Sequence, residues 1–182
     1  MEDLSLHILD ITENSIEAKA KKIEIKIVED RKKDTLSLEL VDNGKGMDEE
    51  SIKKALDPFF TTKKTRRFGF GLSLLSEAAK AANGSFAIQS RPGLGTKIKA
   101  TFQASHIDAK PLGDIAQTLI TLIIGHPEIE FRYHHQVNRS HYSLDTEEIK
   151  AHLNEISITS SEVVNFIRSN LKEGIARIRR QK

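Results

Sequence analysis

The chain has 182 residues, 30% of them charged and 5% aromatic, with a formal net charge of +2 and no cysteine. That length suits one ordinary domain with an appendage and can bury a sizeable core, while the missing cysteines exclude a disulfide framework and any thiolate metal site. A charge so near neutral gives no ground for a nucleic-acid partner, and the longest apolar run, Leu119 to Ile124, is far too short to span a membrane. Met1-Glu2-Asp3 lacks the basic and apolar regions of a signal peptide, so a cytoplasmic protein is expected.

Residues 3–18 read as a helix, because Leu9, Thr12 and Ile16 separate from Leu6, Glu13 and Glu17 at helical period. Asp10 and Asn14 form an i, i+4 pair and project from one face, one turn apart. The Asn14 amide oxygen suits Mg²⁺, a cation that keeps several waters and phosphate ligands. The Asp10 carboxylate can orient or deprotonate a water. Taken alone, the pair reads equally well as a solvated helix face.

A strand follows at Ile23-Ile25-Ile27, then a charged hairpin loop from Glu29 to Asp34 and a second strand over 36–41. That strand runs into Asp42-Asn43-Gly44-Lys45-Gly46-Met47. Glycines let the backbone turn sharply and approach a flat ligand closely. A carboxylate fixed at the strand end can accept from an exocyclic amine such as that of adenine. By itself Asp-x-Gly-x-Gly is also the signature of a tight loop.

A helix over 49–56 leads to Asp57-Pro58-Phe59-Phe60-Thr61-Thr62-Lys63, a short basic loop through Arg67, and Gly69-Phe70-Gly71-Leu72. The last of these opens a helix over 72–82 that Asn83-Gly84 ends. Backbone amides at such a helix start form a phosphate site, and the preceding basic side chains add positive charge. Strand 85–90, a Pro92-Gly93 turn and strand 96–103 complete the pattern.

In this order, these motifs resemble the GHKL (Bergerat-fold) ATP-binding superfamily, which includes DNA gyrase, heat-shock chaperones, histidine kinases and MutL. Asp10 to Ala18 resembles its N box, and Asp42 to Met47 its G1 box. Asp57 to Lys63 and Gly69 to Leu72 resemble the F and G2 boxes of histidine kinases. Gly93-Leu94-Gly95-Thr96 and its strand resemble the G3 element. The resemblance covers residues 1 to about 104.

It implies an α/β sandwich with a mixed, largely antiparallel sheet under helices on one face, and ATP and Mg²⁺ as cofactors. Asn14 would hold Mg²⁺. Asp42 would take the adenine amine, with a water and Thr96 nearby. Gly44, Gly46 and Met47 would form the loop beside the base. Gly69, Phe70, Gly71 and Leu72 would present amides to the phosphates, and Lys63 would sit in the lid. One departure matters. In gyrase and MutL the acid one turn before the Mg²⁺ asparagine is Glu, the general base, and histidine kinases often have Asn there. This chain has Asp10, which would be the catalytic base.

Pro111-Leu112-Gly113 separates an ATP-binding domain, 1–106, from a small C-terminal appendage, 111–182. The appendage reads as a helix from Asp114 to Ile124, strands at Glu130–His135 and Tyr142–Leu144, a helix capped by Thr146, and a helix from Glu162 to Ile178. His126 to Phe131 resembles the stretch that starts the second domain of MutL. His134 and His135, adjacent on a strand, point to opposite faces. That is poor geometry for one metal, and a surface strand is their simpler origin. His7 lacks a His-Glu-x-x-x-Pro context, so packing or surface placement suits it better than phosphoacceptance.

Three functions follow as expectations. The first is an ATPase whose lid and appendage couple nucleotide state to an unidentified protein partner. The second is a histidine or serine protein kinase acting in trans, since no phosphoacceptor helix accompanies the boxes. The third is a non-catalytic nucleotide sensor. The resemblance leaves a homodimer open.

Overall fold

A computed structural model describes residues 2–57 and 71–180. The elements run α1 (Leu4–Glu17), β1 (Lys22–Asp30), β2 (Thr35–Asp42), α2 (Glu49–Leu56), α3 (Gly71–Ala81), β3 (Ser85–Arg91), β4 (Gly95–Gln103), α4 (Ile115–Gly125), β5 (Glu130–Val137), β6 (Ser140–Asp145), α5 (Thr146–His152) and α6 (Ser161–Arg180). Six strands form one sheet in the order β3-β4-β2-β1-β5-β6. Among the described residues only the β1–β5 pair is parallel, so the sheet is mixed and largely antiparallel, as expected.

Alternation along the strands explains the layering. Ile23, Ile25 and Ile27 of β1 and Leu38 and Leu40 of β2 are buried, while Glu24 between them is exposed. One face therefore carries the apolar side chains and the other stays wet, the usual arrangement for an antiparallel sheet. The helical layer covers the apolar face through Leu4, Ile8 and Ile11 of α1, Leu75 of α3, Leu119 and Ile123 of α4, and Ile167 and Leu171 of α6. Fully burying a side chain of this kind contributes about 1.5–3 kcal/mol.

Helix starts follow local capping chemistry. Asp3, Asp48 and Asp114 each accept from a backbone N–H in the first turn. At α5 the cap is Asp145 rather than Thr146. The Thr146 hydroxyl accepts instead from the Phe131 N–H at 2.8 Å and is buried, so it ties α5 to the start of β5. Asn83, at φ 52°, takes the left-handed position that ends α3.

Residues 111–180 contribute α4, β5, β6, α5 and α6, and β5 and β6 extend the same sheet. His135 departs from expectation. It is fully buried on the helix-facing side with Phe131, Tyr133 and Val137. The ring is tolerated there because both nitrogens are partnered, by the Tyr133 hydroxyl at 2.8 Å and the Glu29 carboxylate at 2.8 Å. Arg179 of α6 donates to the same Glu29 oxygen, which links the helix end to the sheet. His134, on the opposite face, stacks on His141. Among the described residues no helix is long and apolar enough to cross a membrane.

His7 packs inside, with its Nδ1 unpartnered among the described residues. Burial, with the charge of Lys110 adding, lowers its pKa to about 4. The neutral ring is therefore the folded form. Below about pH 6.5 the unfolded chain takes up a proton that the folded chain refuses. Stability should be intact above that pH and fall by up to about 3 kcal/mol as pH drops towards 4. Urea unfolding at pH 7 and pH 4.5 checks this, and His7→Leu should flatten that part of the pH dependence.

Candidate nucleotide site

The candidate site gathers at one end of the sheet, where α1, the end of β2, the β3–β4 turn and the start of α3 meet. Asp42 is the last residue of β2 and is buried. Ser15 donates its hydroxyl proton to Asp42 Oδ2 at 2.7 Å, and the Gly44 N–H donates to Oδ1 at 2.8 Å. No cation pairs with Asp42 among the described residues. A carboxylate has about four acceptor positions, so two donors leave room for a third from a ligand. Ser15 has a place in the site that sequence reasoning did not give it. Its signal was its position directly after Asn14.

The loop after Asp42 is held from both sides. The Lys45 N–H donates to the Ala18 carbonyl at 2.8 Å, and the Gly93 N–H donates to the Lys45 carbonyl at 2.7 Å. Asn43 Oδ1 accepts from the backbone N–H groups of Lys21 and Lys22. Gly46 has φ 66°, and a Cβ there would lie 1.9 Å from the Arg91 carbonyl oxygen. Glycine is therefore required by close approach to this chain's own backbone. Met47 is half-buried, and its N–H donates to the Ser90 hydroxyl at 2.8 Å.

Asp10 is buried one turn before Asn14 on α1. A Cβ on Gly71 would lie 1.9 Å from Asp10 Oδ2. Any side chain at the first residue of α3 would therefore collide with that carboxylate. This contact joins the N box to the start of the second glycine motif, a link the sequence does not display. Leu72 is buried in the core.

Asn14 is half-buried, and its side-chain amide has no hydrogen-bond partner among the described residues, so it is available to a ligand. Thr96 is buried and directly opposite Asp42 across β2 and β4. Lys63, Gly69 and Phe70 lie outside the described residues. The structure thus brings Asp10, Asn14, Asp42, Gly44, Gly46, Met47, Gly71 and Thr96 to one end of the fold.

No cluster of three or more His, Cys, Asp or Glu side chains that could hold a metal occurs among the described residues. A single amide oxygen on Asn14 fits Mg²⁺ that arrives with phosphate and water ligands. The buried acceptor Asp42, with one donor on each oxygen and acceptor capacity left over, fits a nucleobase amine.

Comparison with known proteins gives the family and the fold. The family model for the histidine kinase-, DNA gyrase B- and HSP90-like ATPases matches residues 2–106. The sensor histidine kinase YvrG of Bacillus subtilis is 33% identical over 94 residues, covering 50% of this chain and 16% of that protein. The sensor protein kinase FleS of Pseudomonas aeruginosa is 37% identical over 110 residues, covering 60% of this chain and 27% of that protein. The chain thus spans well under a third of the length of these relatives.

Among solved structures, the Aquifex aeolicus MutL ATPase domain complexed with ADP superposes with a TM-score of 0.54 at 17% identity. The match covers 80% of this chain and 63% of that one. The N-terminal domain of a DNA repair protein gives 0.56 at 17% identity, covering 94% and 56%. The fold likeness therefore continues past residue 106 into the C-terminal strands and helices. With a family model matching more than half of its length on a Bergerat-type sandwich, the chain belongs to the histidine kinase-, DNA gyrase B- and HSP90-like ATPase family and is an ATP-binding domain of that family.

Proposed function

We propose that this domain binds ATP with Mg²⁺ and hydrolyses it, with Asp10 as the residue that orients and deprotonates the attacking water. The observation that carries this reading is the buried Asp10 carboxylate, one turn before Asn14 and against Gly71 at the start of α3. A carboxylate there stands between the metal-binding amide and the helix start whose amides suit phosphates. Asp42 would accept from the adenine amine, with Thr96 beside it. Lys63, in the lid segment, would contact the terminal phosphate. Mg²⁺ on the Asn14 oxygen would offset phosphate charge.

On this reading residues 1–106 carry the nucleotide chemistry. The appendage, 111–182, couples nucleotide state to a protein partner. Its parallel strand β5 lies directly on β1, the strand that follows the N-box helix, so a physical route for coupling exists. Phosphate release measured on the chain alone tests the proposal, and no turnover above a catalytically dead control would sink it.

A second reading is that the chain acts in trans as a kinase and transfers phosphate to a histidine or serine of another protein. It is favoured by the sensor kinases among the sequence relatives. Incubating the chain with radiolabelled ATP and a candidate acceptor separates the two, because transfer leaves label on protein and hydrolysis does not. Absence of both would leave a nucleotide sensor.

Asn14 gives a test common to the first two readings. Asn14→Ala should weaken Mg²⁺-dependent ATP binding by about tenfold or more and leave metal-free adenosine binding nearly unchanged, since the amide serves the metal and not the base. Calorimetry with the two ligands measures the difference. Equal losses for both would mean that Asn14 has a structural role.

A further inference from the structure

Asp42, Thr96 and Ser90 stand in one row across three strands. Asp42 pairs with Thr96 across β2 and β4, and Thr96 pairs with Ser90 across β4 and β3. Directly opposed residues of an antiparallel ladder place their side chains on the same face, here the helix-covered one. Ser90 belongs to none of the motifs that point to the nucleotide.

Its hydroxyl has three partners. The Met47 N–H donates to Ser90 Oγ at 2.8 Å. Ser90 Oγ–H donates to the Gly95 carbonyl at 2.8 Å. Thr96 Oγ1 lies 2.9 Å from Ser90 Oγ. A serine hydroxyl has one proton and two lone pairs. The proton is committed to Gly95, and one lone pair is taken by Met47. The Thr96 hydroxyl must therefore donate its own proton to the remaining lone pair. Thr96 is left with lone pairs alone to offer the space beside Asp42.

Asp42 is also an acceptor, with Ser15 and Gly44 donating to it from within the protein. Two neighbouring acceptors suit a donor such as a 6-amino group, or a water that the amine orients. They repel a 6-oxo group, which is itself an acceptor. We propose that Ser90 is a positioning residue that selects 6-amino over 6-oxo purine nucleotides by fixing the direction of the Thr96 hydroxyl proton. This rests on Asp42 and Thr96 being the pair that reads the base.

The experiment titrates the full chain with ATP and with ITP, its 6-oxo counterpart, by calorimetry. Ser90→Ala should lower the ATP-to-ITP affinity ratio by about three- to tenfold, because the freed Thr96 proton can turn towards an oxo group. Ser90→Thr keeps a hydroxyl and should keep the ratio. On a Thr96→Val background, Ser90→Ala should leave the ratio where Thr96→Val put it, since no hydroxyl remains to direct. Should Ser90→Ala fail to fold, Ser90→Cys, a weak donor of similar size, gives the same readout.

Equal loss for both nucleotides would overturn the proposal and reduce Ser90 to a support for the Met47 loop. Asp42→Asn separates the two levels of failure. If it moves the ratio and Ser90→Ala does not, Ser90 alone is wrong. If neither moves it, the base-reading pair is wrong and the proposal falls with it.

Discussion

Replacing Asp10 by Asn should leave ATP affinity within a factor of about two and lower phosphate release by about 10²–10⁴-fold, the usual contribution of a general base. Asn has the same shape, so the fit against Gly71 survives while proton acceptance is lost. Asp10→Glu restores the longer acid of gyrase and MutL. Its longer side chain has to share the space against Gly71 that Asp10 Oδ2 occupies. Turnover in that variant should equal or exceed that of the parent. Steady-state phosphate release on the three proteins makes the comparison. A parent with measurable turnover that Asp10→Asn leaves intact would remove the general-base role. Transfer in trans predicts slow parental hydrolysis and little response to either change, because the nucleophile then comes from the acceptor protein.

Asp42→Asn should cost ATP binding roughly tenfold to a hundredfold, equivalent to about 1.5–3 kcal/mol for a charged hydrogen bond lost in a buried site. The reason is local. The carboxylate holds the Ser15 hydroxyl on one oxygen and the Gly44 N–H on the other. With its carbonyl on the Gly44 N–H, Asn can still donate its NH₂ to the Ser15 hydroxyl, but it loses the charge and turns a donor towards the ligand amine that Asp42 would accept from. Ser15→Ala is the useful companion. It removes one of those donors and keeps the charge, so its loss should be smaller, about threefold to tenfold. Unchanged ATP affinity in a folded Asp42→Asn protein would take Asp42 out of the adenine site. Circular dichroism and urea unfolding of both variants show whether folding is preserved.

The elements from α1 to β4 were legible because their signals are local. Alternation marks β1, β2 and β4, helical period marks α1, and asparagine with glycine marks the end of α3. The candidate boxes were legible as an ordered set for the same reason, since each is a short run of residue types with a defined turn or cap. The cap of α5 was misread because Thr146 has a second use. Its hydroxyl meets the Phe131 N–H, fifteen residues back, and Asp145 caps the helix instead.

By itself the sequence determined the order of helices and strands, the apolar face of the sheet and the residue types at the candidate nucleotide site, all of which rest on interactions within a few residues or on a simple period. Only the tertiary structure decided that β5 lies parallel to β1, with Ile23 opposite Phe131, because no turn connects the two and nothing local reports the pairing. Only tertiary contacts put His135 inside between Tyr133 and Glu29, Asp10 in the space a side chain on Gly71 would need, and Ser90 in the row with Thr96 and Asp42. Each of these depends on side chains or backbone brought together from separate strands or helices, and a hydroxyl's single proton acquires a direction only when all its partners are in place.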